Sequence, residues 1–389
     1  MIIDDQKVLA DNFKYMQFLW QVTNMKPYCD YPPHQFFVEP TNVCNLRCEM
    51  CIQDEMTRTN GYMEFDLIKK IIDEVSVFNP YFDFCRQGEP LVHPKIVEMI
   101  EYAIRKGLTK TRLITNGKIL RENISTRLIK SGLHKINISF NGYDRESYER
   151  YQKGSNFNKV MKNIINLLKL KYELGAKTPE VEISLVLYKD LKDKSEKYFD
   201  LFRQLPVDRI RVSKLISFLG SNEDKALDEN IKKEYKEWPS CKVPFRFYNI
   251  NWNGDVTPCI VDYDSRYIVG NLKKSSVLEI WNNDKMQFFR DCHINKKFDE
   301  IQRNSKGLFC EYCSQLWIDP NDNGPQYPST LEQGIRDLFE KNNPQGKDMK
   351  TMAGNYVSDM FRTKKQVNEL GQKFLKEFDS LYETIITNA

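Results

Sequence analysis

QFFVEPTNVCNLRCEMC, residues 35–51, is an apolar run that leads directly into three cysteines, Cys44, Cys48 and Cys51, at spacings of x3 and x2. Phe36, Phe37 and Val38 suit a buried, pleated surface, so the run reads as a strand over Phe36–Thr41 with the cysteines just past its end. Three thiolates this close can wrap one face of a four-iron cluster and ligate three irons, leaving the fourth open to an outside ligand. A structural zinc site would instead want a closed set of four ligands.

Downstream, the chain alternates. Short β-prone runs at Phe82–Arg86, Lys110–Thr115, Lys135–Phe140, Glu180–Leu187 and Arg209–Lys214 are separated by helical patterns such as Leu67–Val77, Ile96–Arg105 and Val160–Tyr172. In the last of these, Val160, Ile164, Leu167, Leu168 and Tyr172 form one apolar stripe. Strands alternating with helices pair in parallel through right-handed crossovers. Six such units predict an α/β chain folded as a partial, TIM-like (β/α)6 barrel, with its chemistry at the C-terminal strand ends. By strand alternation Glu39 points into the barrel as a candidate base, and Arg86, Tyr188, Arg211 and Lys214 stand near strand ends as candidate substrate ligands.

The whole chain has 389 residues, 41% hydrophobic and 29% charged, with 58 Lys+Arg against 54 Asp+Glu. That composition is ordinary for a globular protein, and a net charge of +4 argues for neither nucleic acid nor membrane as partner. The opening MIIDDQKVLADNFKYMQFLW is acidic where a signal peptide is basic, and no later run is long and apolar enough to span a bilayer. A cytoplasmic location is the expectation. There, ten cysteines point to metal binding or chemistry in preference to disulfides.

Five of the cysteines lie from residue 241 onward. Cys241, Cys259, Cys310 and Cys313 provide four thiolates, and Gly254 lies between the first two in the hairpin signal NWNGDV, where a turn needs positive φ. Spacing alone permits a cluster or a structural zinc site. Cys292, in RDCHINKKF, reads as a ligand, a packed thiol or a hydrogen-atom donor; Cys29 and Cys85 read as structural. These features divide the chain into a helical lead-in (1–34), a barrel (35–220), a cysteine-bearing domain (221–318) and a linker with a helical tail (319–389). Residues 4–24 predict a helix. In the tail, Val367, Leu370, Phe374, Phe378, Leu381 and Ile385 form a stripe suited to packing on the barrel or to a homodimer contact.

Cys-x3-Cys-x2-Cys after a first barrel strand resembles the radical S-adenosylmethionine (SAM) superfamily, in which SAM chelates the open iron and is cleaved to a 5′-deoxyadenosyl radical. Met50 stands where the family usually has an aromatic residue. Later strand ends carry Gln87-Gly88-Glu89-Pro90, similar to the family's GEP motif, then Thr115-Asn116-Gly117 and Ser139-Phe140-Asn141-Gly142. The resemblance implies SAM contacts from Gln87, Gly88, Glu89, Pro90, Thr115, Asn116, Ser139 and Asn141. The second cysteine group resembles the twitch form of the SPASM extension, since no cysteine follows Cys313. That implies one auxiliary [4Fe–4S] cluster, and two in all.

Members with a twitch domain act on aminocyclitols and sugars. The resemblance therefore implies a carbohydrate, polyol or nucleotide-sugar dehydrogenase, with flavodoxin or ferredoxin as reductant. The alternatives are an epimerase with Cys292 as hydrogen donor, a SPASM-type peptide maturase, and a non-catalytic metal-binding protein. About 34 residues precede the first strand, short of the peptide-binding domain of maturases, and this favours a small substrate.

Overall fold

The computed structural model describes residues 25–215, 241–307, 310, 356–361, 364–378 and 382. Six parallel strands form the centre: β1 (Gln35–Val38), β2 (Tyr81–Phe84), β3 (Thr111–Thr115), β4 (Lys135–Ser139), β5 (Glu180–Leu187) and β6 (Arg209–Lys214), paired in that order. Between them run α1 (Phe65–Val75), α2 (Ile96–Arg105), α3 (Glu122–Ser131), α4 (Arg145–Tyr151), α5 (Phe157–Glu173) and α6 (Ser195–Arg203). This is the partial (β/α)6 barrel read from the alternation. The strand boundaries fall within two or three residues of the expected ones.

Each strand has two faces with different tasks. Phe36, Val38, Phe82, Phe84, Leu113, Ile136, Ile138 and Ile183 join the main core with the helices. The α5 stripe of Val160, Ile164, Leu167 and Leu168 is fully buried there; each such side chain contributes about 1.5–3 kcal/mol. The alternate positions face the lumen and are largely polar. Asp83 accepts from Gln35 Nε2 at 2.6 Å and pairs with Arg112, while Glu182 accepts from Asn137 and pairs with Arg211 at 3.3 Å. A buried charge needs a partner, and here the cross-strand neighbours supply it. Nearer the strand ends, Phe37, Cys85 and Phe247 form a small separate apolar patch.

An open barrel leaves two unpaired edges. The C-terminal half of the chain covers both. Beyond β1 lie β7 (Phe247–Ile250), β8 (Asp255–Thr257) and β9 (Gly270–Asn271), with β7 parallel to β1 and β8 antiparallel to β7. The β7–β8 connection is the hairpin read from NWNGDV, and Gly254 has φ +90°. Three helices follow: α7 (Val277–Trp281), α8 (Asp284–Ile294) and α9 (Phe298–Arg303). Arg290, fully buried on α8, donates to Pro27 O and Asn282 Oδ1 and lies over Trp281, which holds residues 27–31 against this domain.

At the other edge β10 (Tyr356–Phe361) pairs antiparallel with β6, and α10 (Lys364–Lys376) follows it. The tail therefore contributes a strand as well as the expected helix. Val367 and Phe374 on α10 are buried, and a Cβ on Gly371 would come within 2.1 Å of the Tyr172 ring of α5. The part of the stripe on α10 packs on the barrel, one of the two readings; Leu381 and Ile385 lie outside the described residues. The expected helix at 4–24 and the linker after Pro320 lie outside the described residues. No helix among the described residues is long and apolar enough to cross a membrane.

Candidate active site

The loop after β1 carries Cys44, Cys48 and Cys51 at the C-terminal end of the barrel. Its backbone is pinned at several points. Asn42 donates to Thr59 O and accepts from Gly61 N, Gln53 Nε2 donates to Asn42 O, and Arg47–Cys48 pairs antiparallel with Gln152–Lys153. Asn116 Nδ2 donates to Asn45 Oδ1 at 2.8 Å, tying the loop to the end of β3. Burial pushes the Cys44 thiol up to about 11 and the Cys48 thiol up to about 12, with the charges of Glu89 and neighbouring thiols adding to both. Thiols so placed resist ionisation on their own; a bound cationic iron cluster is what would hold them as thiolates. Three thiols on one loop are the donor chemistry of a cluster with one open iron, but among the described residues no three such side chains converge closely enough to hold a single metal ion.

The loop after β2 backs onto the cysteine loop. Gly88 has φ +80°, and a Cβ there would meet Thr41 O at 2.5 Å and Asn42 Cα at 2.8 Å, so only glycine lets the two backbones approach. Glu89 N donates to Val43 O. The Glu89 carboxylate is 2% exposed and accepts from Leu91 N, Thr115 Oγ1 and Asn116 N. Burial raises its pKa.

The residues implied as SAM contacts therefore fall into two groups. Glu89, Thr115, Asn116 and Asn141 are committed to protein partners: Asn141 accepts from Val186 N and its own N–H donates to Gln152 Oε1. Pro90 is buried at the start of a short helical turn. Gln87 and Ser139 are different. Both are half-buried, and neither side chain bonds a described protein group. These two are the side chains of the implied set that remain available to a ligand. Gln152 was not read from sequence; it also donates to Ser139 O, and so ties the β4 loop to the cysteine loop.

Glu39, expected as a base, is otherwise employed. It is fully buried and takes both prongs of Arg58, at 2.9 and 2.7 Å, as well as Trp252 N at 3.1 Å. An anion held by a two-pronged guanidinium is a structural tie. Arg58 also donates to Tyr263 O, and Asp264 accepts from Thr57 N, Thr57 Oγ1 and Arg58 N. These contacts fasten the cysteine loop to the C-terminal domain.

In that domain Cys241 stands before β7, Cys259 just after β8, and Cys310 is buried beyond α9; Cys313 lies outside the described residues. Cys292 is fully buried on α8, and its charged neighbours are Glu300, Asp291, Lys297 and Asp299. Among the candidate ligands, Arg211 is engaged by Glu182, Tyr188 stacks on Tyr151 at 3.8 Å beside Cys48, and the Lys214 side chain is not described. Arg86 donates to Thr257 Oγ1 at 3.0 Å and Asp262 O at 2.6 Å, so it bridges the barrel and the loop that carries Cys259.

Residues 38–202 match the Radical SAM superfamily, and residues 241–314 match SPASM, an iron–sulfur cluster-binding domain. The tungsten-containing aldehyde ferredoxin oxidoreductase cofactor-modifying protein of Pyrococcus furiosus is 24% identical over 338 residues, 76% of this chain and 94% of its own length. The crystal structure of Streptococcus suis SuiB bound to precursor peptide SuiA is similar with a TM-score of 0.55 and 16% identity, covering 76% of this chain and 74% of that one. Native anSMEcpe with bound AdoMet and Cp18Cys peptide gives 0.53 and 17%, covering 79% and 96%. Residues 38–202 are thus a radical SAM domain and residues 241–314 a SPASM-type domain, and together they imply S-adenosylmethionine and two [4Fe–4S] clusters as the complement of the chain.

Proposed function

We propose that the chain is a dehydrogenase that binds a hydroxylated small molecule, of carbohydrate, polyol or nucleotide-sugar class, at the mouth of its barrel. The chemistry supplied by the bound groups is one-electron cleavage of SAM, removal of a hydrogen atom from a carbinol carbon, and acceptance by the auxiliary cluster of the electron that the substrate radical releases as its proton leaves and a carbonyl forms. The chain's residues set the geometry. Glu89 locks the β2 and β3 loops under the cysteine loop, and Gln87 and Ser139 offer polar groups at the rim. Asp83, Arg112, Asn137, Glu182 and Ser184 line the lumen below with the polar groups a hydroxylated ligand requires.

The observation that carries the reading is the Arg86 bridge, which joins the residue before the Gln87–Pro90 loop to the loop of Cys259. Electron transfer to an auxiliary cluster needs that proximity. Epimerisation needs a thiol facing the substrate, and Cys292 is packed among α8 and α9. A second reading, a peptide substrate, is supported by the likeness to two solved structures that hold peptides.

Anaerobic turnover in D2O with sugars, polyols, nucleotide sugars and candidate peptides tests this. One carbonyl per 5′-deoxyadenosine, with no deuterium placed on carbon, is the expected result. Deuterium at an inverted carbon without carbonyl would make the enzyme an epimerase, and turnover of peptides alone would replace the substrate class.

A further inference from the structure

Arg86 carries a positive charge that the protein leaves without a direct counter-charge. Its Nη1 donates to a hydroxyl, Thr257 Oγ1, and its Nη2 to a backbone carbonyl, Asp262 O. Its Nε is buried and has no acceptor among the described residues. The acids nearest to it are spent elsewhere. The Glu39 carboxylate is taken by both prongs of Arg58, and the Asp262 carboxylate accepts from Arg266 N and Tyr267 N. The remaining ionisable neighbours are the Arg58 guanidinium, a like charge, and Cys259, whose carbonyl accepts from the same Thr257 hydroxyl that receives Arg86. A buried cation without a counter-charge is costly. A cluster held by four thiolates carries net negative charge, so at Cys259 it would offset that cost.

We infer that Arg86 is a positioning residue for the auxiliary cluster, and that its buried guanidinium raises the reduction potential of that cluster. The reason is electrostatic. A cluster gains one negative charge when it accepts an electron, and a fixed cation beside it in a low-dielectric setting stabilises the reduced form more than the oxidised one. Arg86 also precedes the Gln87–Pro90 loop directly, so one side chain makes the second cluster a better electron acceptor and holds its loop against the SAM loop. The inference rests on the redox role proposed above for the auxiliary cluster, but its test does not involve substrate.

The background is the full chain with Cys44, Cys48 and Cys51 all changed to Ala, so that only the auxiliary cluster loads. Reconstituted protein is titrated spectroelectrochemically, with iron content and circular dichroism as controls. Arg86→Gln removes the charge and is expected to shift the midpoint potential downward with about four irons per chain retained. An unshifted potential in a fully loaded Arg86→Gln protein overturns the inference. Should Arg86→Gln fail to load iron, Arg86→Lys decides: its single ammonium cannot span Thr257 and Asp262 together. It keeps the positive charge, so it is expected to load and to hold a midpoint close to the wild-type value; failure to load, or a loaded cluster whose potential falls although the charge is retained, overturns the inference. If the potential shifts but no substrate is oxidised by the enzyme with all its cysteines, the proposed dehydrogenase reading fails and the tuning role stands.

Discussion

Arg58 meets Glu39 in a two-pronged pair, Nη1 to Oε2 at 2.9 Å and Nη2 to Oε1 at 2.7 Å, and the carboxylate end is wholly buried. One partner belongs to the first barrel strand's end and the other to the cysteine loop, while Tyr263 O and Asp264 hold the same loop from the C-terminal domain. Arg58→Ala leaves the Glu39 charge buried and is expected to cost about 3–5 kcal/mol. Glu39→Gln keeps one hydrogen bond without stranding a charge and should cost less. Urea denaturation of both variants checks the order. Loss of turnover in Glu39→Gln with stability unchanged would restore the carboxylate as a base.

Gly88 is squeezed against the backbone at Thr41 and Asn42 in a conformation that L side chains rarely adopt. Gly88→Ala is expected to cost roughly 1–3 kcal/mol in backbone strain. Relief comes from displacing the loop, and if about 1.4 kcal/mol of it appears at the ligand, SAM binds roughly tenfold more weakly. Equilibrium dialysis with labelled SAM on reconstituted protein measures this.

Glu182 governs the acid response of the barrel floor. Burial alone pushes its carboxyl up, but Arg211, Arg209, Lys135 and Arg112 outweigh it and hold it at about 2. A carboxyl depressed on folding contributes stability above its unfolded value, about 4.3, and that contribution is lost as pH falls toward the folded value. Wild type should therefore lose stability between about pH 4.5 and pH 2. Glu182→Gln should be less stable at neutral pH by about 3–5 kcal/mol, and the gap between the two should close as the pH falls through that window. Urea midpoints at neutral pH and at about pH 3 check the sign.

What the sequence revealed follows from which forces are local. The strands Glu180–Leu187 and Arg209–Lys214 were legible because their alternation is dense in β-branched residues, and the α5 stripe because it recurs at helical spacing. The Cys44–Cys51 spacing announced its chemistry for the same reason. The β10 strand was missed: six residues of edge pairing against β6 carry little local signal after a Pro- and Asn-rich stretch. The parallel union of β7 with β1 joins residues more than two hundred positions apart and has no sequence signature. Alternation placed Glu39 facing inward, but nothing in a polar loop marks Arg58 as its partner, so a structural carboxylate was read as a base. Arg86 illustrates the converse: its position beside the Gln87–Pro90 loop was plain, and its reach to Thr257 and Asp262 was not.

The most direct test is the iron, sulfide and zinc content of anaerobically reconstituted protein, wild type beside the Cys44/Cys48/Cys51→Ala variant, with release of 5′-deoxyadenosine on reduction in the presence of SAM. Two clusters give about eight irons in wild type and about four in the variant, with deoxyadenosine from wild type alone. Four irons and one zinc in wild type, or intact clusters with no deoxyadenosine, would contradict a two-cluster SAM-cleaving enzyme.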